Sequence, residues 1–218
     1  MFRLSAKLFE IQRQLGDNTT TAKSSPVLVT GNHSFIDIGC GGRSGAGLKG
    51  DGTVWTWGDG TYGILGDNTT TSKSSPVLVV GNHSFIRISV TLSTTYGLKS
   101  NGQVWAWGYN FYGAVGDNTT TDKSSPVLVV GNHSFIQISG LRSCGAGLKA
   151  NGEIWMWGYN EFGQLGNYTR TYTSSPVLVV GSHVFRNLWN QDAYYIEETD
   201  HMFGRGIDQG FNCGFDKV

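Results

Sequence analysis

The sequence predicts an all-β protein: a β-propeller of four-stranded antiparallel blades of about 50 residues, with about four blades in the chain. Three observations carry that prediction. The chain repeats itself. Taking Gly16 as a start, units run 16–65, 66–115 and 116–165, each 50 residues, and a fourth begins at 166 with "GNYTRTYTSSPVLVVGSHVF" before diverging. Each unit holds short runs of β-branched and aromatic residues between turn signals, with no sustained 3.6-residue period. The period excludes a leucine-rich horseshoe, which needs a shorter repeat and a leucine ladder; a kelch propeller has a similar period, so the motif must decide between propellers.

Residues 1–15 read as the eroded end of a preceding unit, because "RQLGD" at 13–17 matches "GQLGN" at 163–167. Within them, "LSAKLFEIQRQL" is the one helix-compatible stretch. In the first unit the expected strands are "PVLVT" (26–30), "SFIDIG" (34–39), "GAGLK" (45–49) and "TVWTW" (53–57). The joins are "GN" at 31–32, "CGGRS" at 40–44 and "GDG" at 50–52. Asn and Gly in such joins tolerate positive φ and so favour tight hairpins. Trp55 and Trp57 alternate with Val54 and Thr56, which puts both indoles on one sheet face. Residues 166–218 read as a divergent terminal repeat or cap, whose "MFGRG" is an eroded "VWTWG". All of this is expected to form one propeller domain.

"GLKGDGTVWTWGDGTYGILGD", "GLKSNGQVWAWGYNFYGAVGD" and "GLKANGEIWMWGYNEFGQLGN" resemble the repeat of the regulator of chromosome condensation (RCC1-like) family. The resemblance covers nearly all of residues 14–186, and its W-G-x-x-x-x-G-x-[LV]-G part is the most specific. It implies a propeller, typically of seven blades. Two departures matter. The family usually places a His just before the "GLK" strand, where this chain has Ser44, Thr94 and Cys144. Seven such blades would also need about 350 residues, so the chain is incomplete relative to the usual ring.

Composition narrows the function. Sixteen basic residues balance sixteen acidic ones, so no charge footprint points to nucleic acid or to an anionic membrane. Cys40, Cys144 and Cys213 do not recur at one repeat position, which argues against a disulfide framework and for a reducing compartment. No secretory signal is evident at the start, and no apolar run approaches the roughly 20 residues of a membrane helix. The expected location is the cytoplasm or an assembled particle. Seven N-x-S/T sequons, at Asn18, Asn32, Asn68, Asn82, Asn118, Asn132 and Asn167, then read as a by-product of the repeat rather than as glycan sites.

The recurring polar residues read as structural. His33, His83, His133 and His183 keep the repeat spacing, but a metal needs ligands converging within about 2–2.3 Å of one ion, which repeat-equivalent positions reach only near the axis. Each is expected to bond within its own blade. Asp17, Asp67 and Asp117 precede Lys23, Lys73 and Lys123 by six residues, and the fourth unit changes both partners, to Asn167 and Thr173. That joint loss points to a local ion pair. "GCGGRSG" opens a strand instead of a helix and lacks G-K-[ST], so it is not a phosphate cradle. No catalytic arrangement recurs. No enzyme activity, cofactor or metal is expected.

Variation between units marks the candidate site. Over 16–36 the first three units differ only at positions 22 and 30 and their equivalents; over 37–65 only nine columns are identical. In a meander the connection after "SFIDIG" and the one after Trp57-Gly58 share a face, so the rewritten residues 40–44 and 59–62, with their equivalents, are expected side by side. Arg43, Ser44, Asp59, Thr61, Tyr62, Leu92, Thr94, Tyr109, Phe111, Tyr112, Arg142, Cys144, Tyr159, Glu161 and Phe162 are the candidate partner-binding residues. Tyr and Arg are enriched where interfaces gain their energy. The leading expectation is a non-enzymatic scaffold that binds a protein or glycan through this face. A second is a building block whose open edges pair with other copies of itself. Nucleotide exchange on a small GTPase is a third, implied by the family resemblance alone.

Overall fold

The computed structural model describes residues 14–141, 143–181, 184–188, 194–196 and 202–203. The helix-compatible stretch lies almost wholly outside them. Among the described residues fifteen strands form four sheets. Sheet I contains β1 (Phe35–Gly41), β2 (Ser44–Lys49), β3 (Val54–Gly58) and β4 (Lys73–Leu78). Sheet II contains β5 (Arg87–Val90), β6 (Thr94–Leu98), β7 (Val104–Gly108) and β8 (Lys123–Leu128). Sheet III contains β9 (Phe135–Leu141), β10 (Cys144–Lys149), β11 (Ile154–Gly158) and β12 (Thr173–Leu178). Sheet IV shows, among the described residues, β13 (Phe185–Leu188), β14 (Tyr194–Ile196) and β15 (Met202–Phe203). Every sheet is an antiparallel meander in sequence order, and β1, β5, β9 and β13 stand side by side on the inner edge. These are propeller blades.

One expected strand is placed differently. Residues 26–30 form no strand, and the equivalent later segments pair with the sheet before them. β4 joins β3 with Trp55 opposite Leu78, Thr56 opposite Val77 and Gly58 opposite Lys73. The long connection after β3 carries the chain back along the outer edge, so β4 meets the unpaired side of β3 before the chain moves on. Each 50-residue unit therefore straddles two sheets.

Small residues on the second strand of each sheet allow the packing. Phe35, Phe85 and Phe135 lie across Gly47, Gly97 and Gly147, where a Cβ would collide with the ring. The core sits between blades rather than inside them. Trp107 of sheet II packs with Ala46, Leu48 and Val54 of sheet I and with Phe85 and Ile88 of its own sheet. Trp157 of sheet III packs likewise with Tyr96, Leu98 and Val104 of sheet II. Both indoles are fully buried, and each donates its N–H backwards: Trp107 to the carbonyl of Ile64 (2.9 Å) and Trp157 to that of Ala114 (2.8 Å). The tryptophans that define the repeat thus join consecutive blades.

Candidate functional site

The two ends of the blades differ in kind. At the end carrying the "GN" and "GDG" turns, one motif recurs in each of the three complete units. His33, His83 and His133 stack on Phe35, Phe85 and Phe135 (centroids 5.2, 5.2 and 5.0 Å apart) and lean on Trp55, Trp105 and Trp155 (4.4, 4.3 and 4.3 Å). The ammonium groups of Lys49, Lys99 and Lys149 cover the opposite part of those indoles at 4.8, 4.8 and 4.5 Å. Burial, and secondarily the neighbouring lysine, holds all three imidazoles below their ordinary pKa of 6.5. These histidines are wedges inside an aromatic stack. Among the described residues no cluster of His, Cys, Asp or Glu could hold a metal, and His183 lies outside them.

At the other end, the turn after each first strand meets the long loop after each third strand. Backbone N–H groups of Asp59, Tyr109 and Tyr159 donate to the carbonyls of Arg43, Ser93 and Ser143 at 2.9, 2.8 and 3.0 Å. Beneath that joint lie Ser44, Thr94 and Cys144, all buried. The Thr94 hydroxyl donates to the carbonyl of Tyr109 (2.9 Å), and the Cys144 thiol to that of Tyr159 (3.1 Å). These three expected surface residues therefore lie under the loops, where Thr94 and Cys144 bond to the loop backbone, a correction the burial forces.

The long loops hang on an internal anchor in two units. The Asn110 side chain, fully buried, donates to the carbonyls of Thr119 (3.0 Å) and Thr121 (3.1 Å) and accepts from the Val115 N–H (2.8 Å). Asn160 repeats this with Thr169 (3.0 Å), Thr171 (3.0 Å) and Leu165 (2.9 Å). Unit one has Gly60 at that place. Its loop instead forms a short 3-10 turn, Thr61–Gly63, with Tyr62 in the left-handed region at φ 62°. Ion pairs Lys23–Asp17 (3.8 Å), Lys73–Asp67 (3.5 Å) and Lys123–Asp117 (3.0 Å) tie down the far part of the loops, as the joint loss in unit four implies.

Above these anchors the aromatic tips meet across blades. Tyr62 of the first loop contacts Tyr109 of the second at 4.7 Å between ring centroids. Tyr109 continues to Tyr112 (6.1 Å), Tyr112 to Tyr159 of the third loop (4.9 Å), and Tyr159 to Phe162 (6.3 Å). Phe111 stands against Tyr112 at 5.0 Å. Six expected residues thus form one strip spanning three sheets, with Tyr62, Phe111 and Phe162 about half or more exposed. Arg43 reaches Asp59 at 3.9 Å beside the strip, Thr61 donates to the same carboxylate, and Leu92 is exposed. Burial raises the pKa of the Asp59 carboxyl, but the Thr61 hydroxyl and N–H and the Arg43 guanidinium outweigh it and hold the group below its ordinary value. Glu161 accepts a hydrogen bond from the Tyr159 hydroxyl, which raises the phenol's pKa. Arg142 lies outside the described residues.

Sequence reasoning missed Tyr172, whose ring sits 5.0 Å from Tyr159 and 5.2 Å from Tyr112. A signal existed. Tyr172 occupies the column of Ala22, Ser72 and Asp122, one of only two that vary in the constant half of the unit. Ser72 and Asp122 serve the same loops, accepting from the N–H groups of Gly60 (3.1 Å) and Asn110 (2.7 Å).

Comparison with known proteins fixes the kinship. The regulator of chromosome condensation (RCC1) repeat matches residues 51–92, 101–147 and 151–186, and a second form of that repeat matches 35–64 and 85–114. The chain belongs to the RCC1 repeat family. Among solved structures, human WBSCR16 is 16% identical with a TM-score of 0.69, the match covering 81% of this chain and 49% of that one. Prp20p from Saccharomyces cerevisiae, described with its binding to Gsp1p and histones, is 17% identical with a TM-score of 0.60 over 69% of this chain and 40% of that one. The ectodomain of the Physcomitrella patens receptor kinase CR4 is 16% identical with a TM-score of 0.52, over 80% and 42%. No curated protein sequence matches. This RCC1-repeat chain spans less than half the length of those three structures, so the likeness is one of fold. The RCC1-like propeller fold supports a binding scaffold or an exchange-factor relation equally, and shows no specific partner. Among the described residues no helix is long and apolar enough to cross a membrane.

Proposed function

We propose that this RCC1-repeat protein is a non-enzymatic scaffold that binds a protein partner along the aromatic strip of its varied face. The carrying observation is the continuity of that strip. Tyr62, Tyr109, Tyr112 and Tyr159 come from three different units, yet each ring touches the next. Exposed rings gathered at one place are uncommon on a surface with no partner, and tyrosines with a nearby arginine are the residue types that dominate protein interfaces. The phenol hydroxyls, Glu161 and the Arg43–Asp59 pair supply a polar rim. A rigid sheet base with loops anchored by Asn110 and Asn160 keeps the ordering entropy of binding small.

Peptide and glycan arrays test the reading directly. The unmodified chain is expected to retain peptides, and the triple variant Tyr109→Ala, Phe111→Ala, Tyr159→Ala to lose them at least tenfold while keeping its circular dichroism. Substitutions at the opposite end, Asp51→Ala with Asn101→Ala, are expected to leave retention unchanged. Retention by the triple variant, or selection of glycans alone, overturns the protein-partner reading.

A further inference from the structure

At the constant end of the blades, unit three carries its own anion where unit two carries none. Trp155 donates its indole N–H to the Glu153 carboxylate at 3.1 Å, and the Lys149 ammonium meets the same oxygen at 3.4 Å. The Trp155 bond first, and the Lys149 charge after it, outweigh desolvation and hold the Glu153 carboxyl below its ordinary pKa. The His133 imidazole, governed chiefly by its burial, also feels the charge of that carboxylate. An indole N–H, an ammonium and an imidazole thus surround one anion.

Unit two keeps all three groups and changes the anion. Lys99 stands 4.8 Å from the Trp105 ring centroid, against 4.5 Å for Lys149 over Trp155, and His83 leans on Trp105 at 4.3 Å as His133 does on Trp155. The place of Glu153 is taken by Gln103, whose side-chain carbonyl accepts instead from the Asn101 amide at 3.1 Å, an exposed bond. Trp105 Nε1 and His83 Nδ1 are both buried without a hydrogen-bond partner, and Lys99 forms no ion pair among the described residues. A buried donor without an acceptor is costly. The ammonium, held against the ring face, has already given up much of its rotamer freedom. Unit one leaves Trp55 Nε1 and His33 Nδ1 unpartnered in the same way, but its Asp51 carboxylate, bonded first to Thr53, already feels the Lys49 charge.

Beside the His83 and Trp105 rings lies a cavity of about 510 Å³, walled also by Asn68, Val80, Ser125 and Pro126. Val80 and Pro126 give it apolar wall for the part of a ligand that carries the charge.

We propose that unit two binds a carboxylate on a short aliphatic stem, seated between Lys99 and the Trp105 N–H as Glu153 is seated in unit three. An acidic side chain of a partner protein and a free carboxylic acid share this chemistry. The incoming group displaces the Gln103 side chain at the loss of its exposed bond to Asn101. A neutral amide in its stead offers the indole an acceptor but brings no charge to Lys99. The chain itself thus supplies both forms of the site, one filled from within and one open to a ligand.

Indole N–H resonances of nitrogen-15-labelled protein read this atom by atom. At constant ionic strength, acetate is expected to move the Trp105 signal downfield and saturably, towards that of Trp155. Trp107, Trp155 and Trp157 are expected to stay in place, since their N–H groups are already bonded. One ion pair with one hydrogen bond corresponds to a Kd of about 1–100 mM, and the titration covers that range. Saturation by the capped tripeptide Gly-Glu-Gly at lower concentration than acetate assigns a protein carboxylate; the reverse order assigns a free acid. Its Gly-Gln-Gly counterpart is expected to shift nothing. Gln103→Glu and Glu153→Gln exchange residues that the chain already folds with in sister units. Gln103→Glu is expected to place the Trp105 signal at its shifted position without ligand and to end its response, and Glu153→Gln to make Trp155 responsive. A Trp105 signal that stays in place throughout the titration, or that still moves in Gln103→Glu protein, overturns the proposal. Neither readout depends on the aromatic strip, so failure here leaves the peptide-binding test standing.

Discussion

The constant end and the varied end of these blades solve one problem, turning a strand around, by opposite means. At the constant end the turn residues are themselves the packing: His83, Phe85, Trp105 and Lys99 stack on one another, and the same four recur in the other complete units. At the varied end the packing lies one layer down, in Asn110, Asn160, Thr94 and Cys144, and the tips above touch chiefly each other. A repeat can change its surface only where the tip has been separated from the anchor. That separation explains why near-verbatim copies diverge so sharply over a few positions.

The largest expected effect tests the layer that joins the blades. Trp107→Ala removes a fully buried indole and its bond to Ile64, and is expected to destabilise the fold by about 3–5 kcal/mol in urea titration. A loss under 1 kcal/mol would mean the blades are held by something else. Next comes the loop anchor. Asn160→Ala leaves the buried N–H of Leu165 and the carbonyls of Thr169 and Thr171 without their partner, costing about 1–3 kcal/mol and loosening the strip at Tyr159. Faster amide exchange at Leu165 would report it. Acid comes third. The fold depresses the pKa of His33, His83 and His133, so it holds fewer protons than the unfolded chain once pH drops below the ordinary 6.5. Stability is therefore expected to be level above that pH on account of these groups and to decline beneath it. Replacing all three by Gln should flatten that decline. Smallest of all are the tips: Phe111→Ala and Phe162→Ala are expected to shift stability by no more than about 0.5 kcal/mol, since both rings are more than half exposed. A large shift at either would erase the contrast between the ends.

The elements were readable where the signal was local. W-x-W-G and the glycine turns placed β3, β7 and β11 because alternation and positive φ are properties of a few adjacent residues. The outer strand was assigned to the wrong side because its apolar run fits either neighbouring sheet; only the return path of the long loop decides. The face of the site followed from connectivity and from comparing units, which brought Tyr62, Tyr109, Tyr112 and Tyr159 together. Depth did not follow. Ser44, Thr94 and Cys144 vary like surface residues, yet each fills a small space under a loop whose own residues change with it. Tyr172 was hidden by the opposite effect, one of two variable columns inside a stretch that is otherwise constant in the first three units.

The offset between unit and sheet has a genetic consequence. Cutting the chain at any repeat boundary severs a sheet before its outer strand, so every unit carries away the strand that completes its predecessor. Two units joined in a new order would therefore meet through a seam already tested elsewhere in the same molecule. Unequal crossing-over between such similar stretches of coding sequence would lengthen or shorten the arc by whole blades, and each product would inherit matching joints. Growth of the array and renewal of its loop tips can then proceed as separate events.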